Sequence, residues 1–316
     1  MAVEAELLSL AAVRAAADRI RPHVLKTPTL SGEPIGGPAI WLKAENLQRT
    51  GSFKVRGAVN AILQLTPEQR RRGVITLSAG NAGLGLAYAA QLFQIPCVVV
   101  VREDAAVSKL EAIRRYGAEI VLTPLARWQE RLESEQRERK LHLVHPFDDP
   151  AVAAGQGTVG LEILEAVPDV ASLLVPVGGG GLIAGVAVAV KQQRPEVRII
   201  GVEPEGAPTV NESLAAGHPV APSRLDTIAD GLAPPYTRPF NLELIQRYVD
   251  EMRTVSDAAI IDALKTMVLQ GKLVVEPSGS AALAALVADR DIRRPAVVVL
   301  SGGNVDGQRL ADWLGQ

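Results

Sequence analysis

Short, continuous apolar runs alternate with longer Ala- and Leu-rich stretches, and this alternation constrains the fold more than any other feature. The run IPCVVVV, residues 95–101, shows it best. A strand with one face in water would alternate apolar and polar residues. A run this uniformly apolar predicts a strand covered on both faces, as in a parallel sheet flanked by helices. Further strands are expected at Val74–Leu77, Val98–Val101, Glu119–Leu122, Leu173–Val177, Arg198–Val202 and Ala296–Leu300. Helical spacing predicts helices at Leu84–Leu92, Lys109–Tyr116, Leu182–Gln193, Ala258–Gln270 and Ser280–Ala288. The expected class is α/β. The charged stretch Trp128–Lys140 reads as a solvated helix, and Ala233–Phe240 as a loop.

At 316 residues, 47 % hydrophobic, the chain has room for one large or two medium domains. A net charge of −2 without a long basic run argues against a nucleic-acid surface. No apolar run reaches the roughly 18–20 residues that span a bilayer. Glu4, Glu6 and Asp18 break any signal-peptide layout in the first twenty residues. The single cysteine, Cys97, excludes an internal disulfide framework and reads as a buried structural thiol. The expected setting is a reducing cytoplasm.

Three strands run directly into small-residue turns: SAGNAG at 78–83, GGGG at 178–181 and SGGN at 301–304. Ligands of open parallel sheets bind beyond the carboxyl ends of the strands, so the three turns point to one ligand cradle. GGGG opens a helix, and bare backbone N–H groups at a helix N-terminus attract an anion such as a phosphate. No P-loop is present. Gly179–Ala184 also fits G-x-G-x-x-A with Glu203 at the end of the next strand, which leaves an NAD-dependent dehydrogenase as a remote alternative. The segment GSFKVRG, 51–57, raises a separate question. Apolar spacing downstream starts a helix near Ser52, with Ser52 as N-cap, and puts Lys54 in the first turn. A cation there opposes the helix dipole. Either it is a solvated surface lysine or it has a chemical task.

ENLQRTGSFKVRGA (45–58), SAGN (78–81), HPFDDP (145–150), GQGT (155–158), PVGGGGLIAG (176–185), GVEP (201–204), TIADGLA (227–233), VVEPSG (274–279) and LSGGNVD (300–306) together resemble the fold-type II pyridoxal-phosphate enzymes. Within them the chain is most similar to the threonine/serine dehydratase and serine racemase group, over residues 17–306. The resemblance implies a two-domain, tryptophan synthase β-like fold. Its large domain would take residues 1–50 and 146–316, and a small mobile domain residues 51–145. No C-terminal regulatory domain is expected, because the chain ends soon after LSGGNVD.

The resemblance also implies roles. Lys54 matches the lysine that condenses with the cofactor aldehyde and later acts as base. Phe53 resembles the residue packed beside the ring, and Asn81 the partner of the ring oxygen. Gly178, Gly179, Gly180, Gly181 and Leu182 match the phosphate loop. Ser301 matches the hydroxyl partner of the pyridine nitrogen, with Glu276 and Gly302 also at the cofactor. Ser78, Ala79, Gly80, Asn81 and Ala82 resemble the loop that holds the substrate carboxylate. The implied reaction is dehydration and deamination of L-threonine, with L-serine beside it, to a 2-oxo acid and ammonia. Another β-hydroxy amino acid, such as 3-hydroxyaspartate or phenylserine, and serine racemisation are the alternatives. The implied assembly is a homodimer or homotetramer.

The chain departs from the group's pattern at three places. Ala79 stands where racemases carry a second, proton-donating serine. Ala82 and Leu84 replace a histidine and a glutamine, which points to a larger or more apolar substrate side chain. The group's divalent-metal site maps onto Glu203, Ala207 and Thr209, where the expected second acid is missing. Magnesium or calcium remains a candidate occupant; the other reading of Glu203 is a capping or surface acid. His23, His142, His145 and His218 show no zinc spacing.

Overall fold

The computed structural model describes residues 7–78, 80–105, 107–289 and 291–315. Among them, ten strands form two sheets. The strands are β1 Thr29–Ser31, β2 Ile40–Ala44, β3 Val74–Leu77, β4 Cys97–Arg102, β5 Glu119–Thr123, β6 His142–Leu143, β7 Ser172–Pro176, β8 Arg198–Pro204, β9 Glu251–Val255 and β10 Ala296–Leu300. The larger sheet has the order β1-β2-β10-β7-β8-β9 and is parallel except for the β1–β2 hairpin pair. The smaller sheet, β5-β4-β3-β6, is parallel throughout.

The uniformly apolar strands behave as their composition requires. Every residue of β3, β7 and β10 is buried, because helices cover both faces. Cys97 opens β4 with its thiol buried and free. Burial pushes that thiol up to about 12. A thiol reagent at pH 8 is therefore expected to label Cys97 only after denaturation; fast labelling of the folded protein would contradict this placement.

The helix Lys54–Leu63 packs on the helices Asn81–Leu92 and Pro150–Ala166, between the two sheets. Its N-cap is Phe53, with no side-chain cap bond, and its first turn holds no acid. Ser52 is thus not the N-cap. Its backbone pairs with Gly302 in an antiparallel bridge instead, which holds it extended and buried. The charged stretch forms the helix Trp128–Arg139, mostly in solvent with Leu132 and Glu135 turned inward. The stretch from Ala233 is a loop as expected, but it ends at Arg238, because Pro239 begins the helix Pro239–Tyr248.

Candidate active site

The three small-residue turns follow β3, β7 and β10, so they come from both sheets, and a hydrogen bond from Asn304 to Asn81 joins the first to the third. Two backbone contacts fix Lys54 against the end of β10. Phe53 N donates to Ser301 O at 3.1 Å, and Ser52 bridges Gly302. From this anchored turn the Lys54 amine reaches the carbonyl of Pro146, donating at 2.9 Å, with its Nζ 5.1 Å from the centre of the Phe53 ring. Burial withdraws water from the ammonium and lowers its pKa to about 8, against the pull of the Glu276 carboxylate. Lys54 is therefore not a solvated surface cation: a large fraction of it is neutral just above physiological pH.

Asn81 begins the helix that follows β3, and its two amide atoms are held apart. Nδ2 donates to Glu276 Oε1 at 2.6 Å, while Oδ1 accepts from Asn304 Nδ2 at 2.8 Å. Asn304 Nδ2 also donates to Thr50 O at 2.7 Å, so the amide of Asn81 has one orientation. Glu276 is buried, and its carboxyl is pushed up to about 8, first by burial and then by Asp230. Gly302 lies flat against this pair: a Cβ there would come within 2.2 Å of Glu276 Oε1. Ser301 is buried beside it, and among the described residues its hydroxyl makes one long contact, 3.4 Å to Ser278 O.

The glycine turn at 178–181 leads into the helix Gly181–Lys191, whose N-cap Gly180 adopts φ +93° and offers no side-chain cap. The first backbone N–H groups of a helix lack intrahelical acceptors. Gly179 O accepts from Thr237 Oγ1 and Asn241 Nδ2, at 3.2 and 2.9 Å, so the turn is braced from behind. Asn241 Nδ2 also holds Phe147 O at 3.1 Å. The Phe147 ring presses so closely that a Cβ on Gly179 would lie 2.5 Å from it. His145 and Tyr236 complete an aromatic wall, with ring centres 4.6 and 5.8 Å from Phe147. Asp148 N donates to His145 Nδ1 at 2.9 Å. Burial first, then Arg238 and Lys54, lower this imidazole to about 4, so it stays neutral. Ser78 Oγ accepts from Gly80 N at 3.1 Å at the start of the turn after β3. Ala79 lies outside the described residues.

Two expectations are corrected. Both carboxylate oxygens of Glu203 accept backbone N–H groups, from Val210 at 2.7 Å and Asn211 at 2.9 Å. Glu203 therefore caps the helix Thr209–Ala216, and burial pushes its carboxyl up to about 7. Both oxygens are engaged by the start of that helix, and Ala207 is buried. Among the described residues no three His, Cys, Asp or Glu side chains cluster to hold a metal. The same bonds remove Glu203 as the ribose ligand of a dinucleotide site.

The residues present fit pyridoxal 5'-phosphate. An amine that titrates near 8 suits condensation with an aldehyde. The uncapped helix start at Gly180 suits a phosphate. A buried hydroxyl with one weak partner, Ser301, and an oriented amide, Asn81, suit a ring nitrogen and a ring oxygen. Sequence reading missed Pro146, Asn241, Asn304 and Tyr236. Three of the four lie in segments already singled out: HPFDDP, LSGGNVD and the loop from Ala233.

The comparisons with known proteins agree. The chain is 44 % identical to an L-threonine ammonia-lyase of Thermotoga maritima, over 86 % of this chain and 69 % of that one. It is 43 % identical to an L-threonine ammonia-lyase of Geobacter sulfurreducens, over 96 % and 78 %. Maize serine racemase superposes with a TM-score of 0.93 at 36 % identity, covering 97 % of each chain. The profile of the family described as pyridoxal-phosphate dependent enzymes matches residues 20–302. By that span, by these identities and by a site that fits the cofactor, the chain belongs to the pyridoxal-phosphate dependent enzyme family.

Proposed function

We propose that this chain is a lyase that dehydrates and deaminates L-threonine, and L-serine beside it, to a 2-oxo acid and ammonia. The observation that carries the reading is the buried Lys54 amine, held at Pro146 O and under the pull of the Glu276 carboxylate that Asn81 binds, on a turn tied to the end of β10. The likeness to two proteins named L-threonine ammonia-lyase supports the substrate.

Pyridoxal 5'-phosphate, when bound, supplies an aldehyde and an electron-withdrawing ring that acidifies the substrate Cα–H. Backbone N–H groups of Gly178–Gly181 and Leu182 are the proposed phosphate holders. Ser301 is assigned to the ring nitrogen and Asn81 to the ring oxygen, with Phe53, Glu276 and Gly302 alongside. The turn at 78–82 is assigned to the substrate carboxylate. Lys54 Nζ takes the Cα proton as general base. The β-hydroxyl takes up one proton, equal to the one Lys54 removed, and departs as water; the released enamine tautomerises to an imine, which water hydrolyses to the 2-oxo acid and ammonia. A neutral Ser301 hydroxyl stabilises a charged ring nitrogen less than a carboxylate would, which supports elimination over reactions that need a longer-lived carbanion.

Residues 51–145, with the smaller sheet, are proposed to move as the small domain against the rest. The cytoplasm as compartment rests on the unpaired Cys97, and a homodimer or homotetramer rests on the family resemblance. Ala82 lines the wall beside Lys54, which supports acceptance of a larger apolar side chain. Racemisation lacks support because Ala79 carries no proton donor for the opposite face.

The test is a panel of β-hydroxy amino acids, including 3-hydroxyaspartate and phenylserine, assayed for 2-oxo acid and, by chiral chromatography, for D-serine. L-threonine and L-serine are expected to turn over with negligible D-serine. Absence of 2-oxo acid from both would sink the reading, and D-serine formed as fast as pyruvate would replace it with racemisation.

A further inference from the structure

A small cavity of about 10 Å³ lies directly beside Lys54, walled by Thr76, His145 and Gln156 on its polar sides and by Leu86 and Val144 on its apolar sides. That is the size of one water molecule. Gln156 sits on the helix Pro150–Ala166, 1 % exposed. Among the described residues neither its Nε2 nor its Oε1 has a protein hydrogen-bond partner. Nε2 lies against the backbone of the lysine's own helix: a Cβ on Gly57 would come within 2.5 Å of it. Buried carboxamides are almost always paired with protein or with ordered water. An unpaired one against a water-sized space next to a reactive amine calls for a partner there.

We propose that Gln156 is a positioning residue: its carboxamide anchors a water in this chamber, and the water hydrogen-bonds the Lys54 amine whenever that amine is free. The inference rests on the reading of Lys54 as the base. Once Lys54 has taken a proton, its ammonium carries three N–H donors. Pro146 O accepts one of them. The water held by Gln156 accepts a second, and the Thr76 hydroxyl lines the same space for a third.

The charges around Lys54 explain why an amide suits the place. Glu276 faces the amine from the turn before the helix Pro277–Ala288. Asp230 and Lys109, both near Glu276, offset each other. His145 faces it from the segment after β6 and stays neutral. Arg56, two residues along the same helix, is paired to Glu45 and Glu162. A second carboxylate at 156 would keep the proton on Lys54, and an apolar residue would strip the ammonium of support. A water on an amide supports the proton without trapping it.

The experiment compares Gln156→Leu and Gln156→Glu in the full-length chain. One readout is the pH dependence of kcat in the cofactor-loaded enzyme. The other is the pH dependence of Lys54 labelling by an amine reagent in cofactor-free protein, read by peptide mass spectrometry. Gln156→Leu should move both midpoints down by about one unit and Gln156→Glu up by about one unit, the size of one altered hydrogen bond to a charge. The plateau kcat of Gln156→Leu should fall about tenfold. Cofactor absorbance and thermal midpoint monitor loading and folding. A purely structural role would not move the midpoints in opposite directions, so unchanged midpoints in both variants overturn the proposal. Should Gln156→Leu fail to fold, Gln156→Met carries the same readouts, because it removes the amide without adding charge: a downward shift of both midpoints supports the water, and no shift refutes it. Failure of the base reading is seen separately, as turnover by Lys54→Ala, and leaves the labelling result to stand or fall alone.

Discussion

Replacing Lys54 by alanine is expected to reduce L-threonine turnover at least about a thousandfold, the scale of losing a positioned general base together with covalent cofactor attachment. Cofactor added to the variant should bind without the visible absorbance that bonding to an amine gives. The fold should survive. Among the described residues the amine's one hydrogen bond is to Pro146 O, so truncation leaves a single carbonyl short of a partner, about 1 kcal/mol. Lys54→Arg should be equally inactive, because a guanidinium stays charged and neither condenses with an aldehyde nor accepts a proton. Together the two variants separate the need for an amine from the need for a cation. Substantial turnover by either one would remove Lys54 from its role.

The parts of this site that were legible in the sequence have local signatures. The strands Val74–Leu77 and Ala296–Leu300 end where their apolar runs end, because burial on both faces writes itself into consecutive residues. The strands β1, β2, β6 and β9 were missed. β6 has two residues, and β9 is mostly half-exposed, so neither shows a sustained pattern. Ser52 was misplaced as an N-cap because its true partner, Gly302, lies at the far end of the chain. The contacts that orient Lys54 and Asn81 are likewise non-local: Lys54 reaches Pro146 across 92 residues, and Asn304 reaches Asn81 across 223. Glu203 stayed open between a metal ligand and a capping acid for a different reason. A metal ligand and a helix cap need the same carboxylate at the same strand end. Only the backbone geometry of residues 210–211 tells them apart.

Arg56→Met is expected to destabilise the protein by about 3–5 kcal/mol, the scale for removing one partner of a buried ion pair. Arg56 and Glu45 are both fully buried, joined by two bonds of 2.8 Å. The other edge of the guanidinium binds Glu162 at 2.7 and 2.9 Å, and Lys43 joins Glu162 at 2.6 Å. Two cations and two anions thus balance where the helix bearing Lys54 meets β2 and the helix Pro150–Ala166. Burial alone would raise the Glu45 carboxyl, but the Arg56 guanidinium overrides it and holds the group below its usual range. A depressed carboxylate adds stability above its unfolded pKa, and that stability is lost as pH falls through the folded value. In Arg56→Met the sign reverses: Glu45 is buried without its main counter-charge, its pKa rises, and lowering the pH relieves the strain by protonating it. The gap in unfolding free energy between parent and variant should therefore narrow steadily from pH 7 toward pH 4. Adding Glu45→Gln to Arg56→Met should recover part of the loss at pH 7 and flatten that pH dependence. A gap that stays constant with pH, or no gain from the second substitution, would mean that the loss reflects packing rather than the buried charge. Turnover should fall along with stability. The first turn that carries Lys54 is held from one side by the end of β10, and from the other by this quartet.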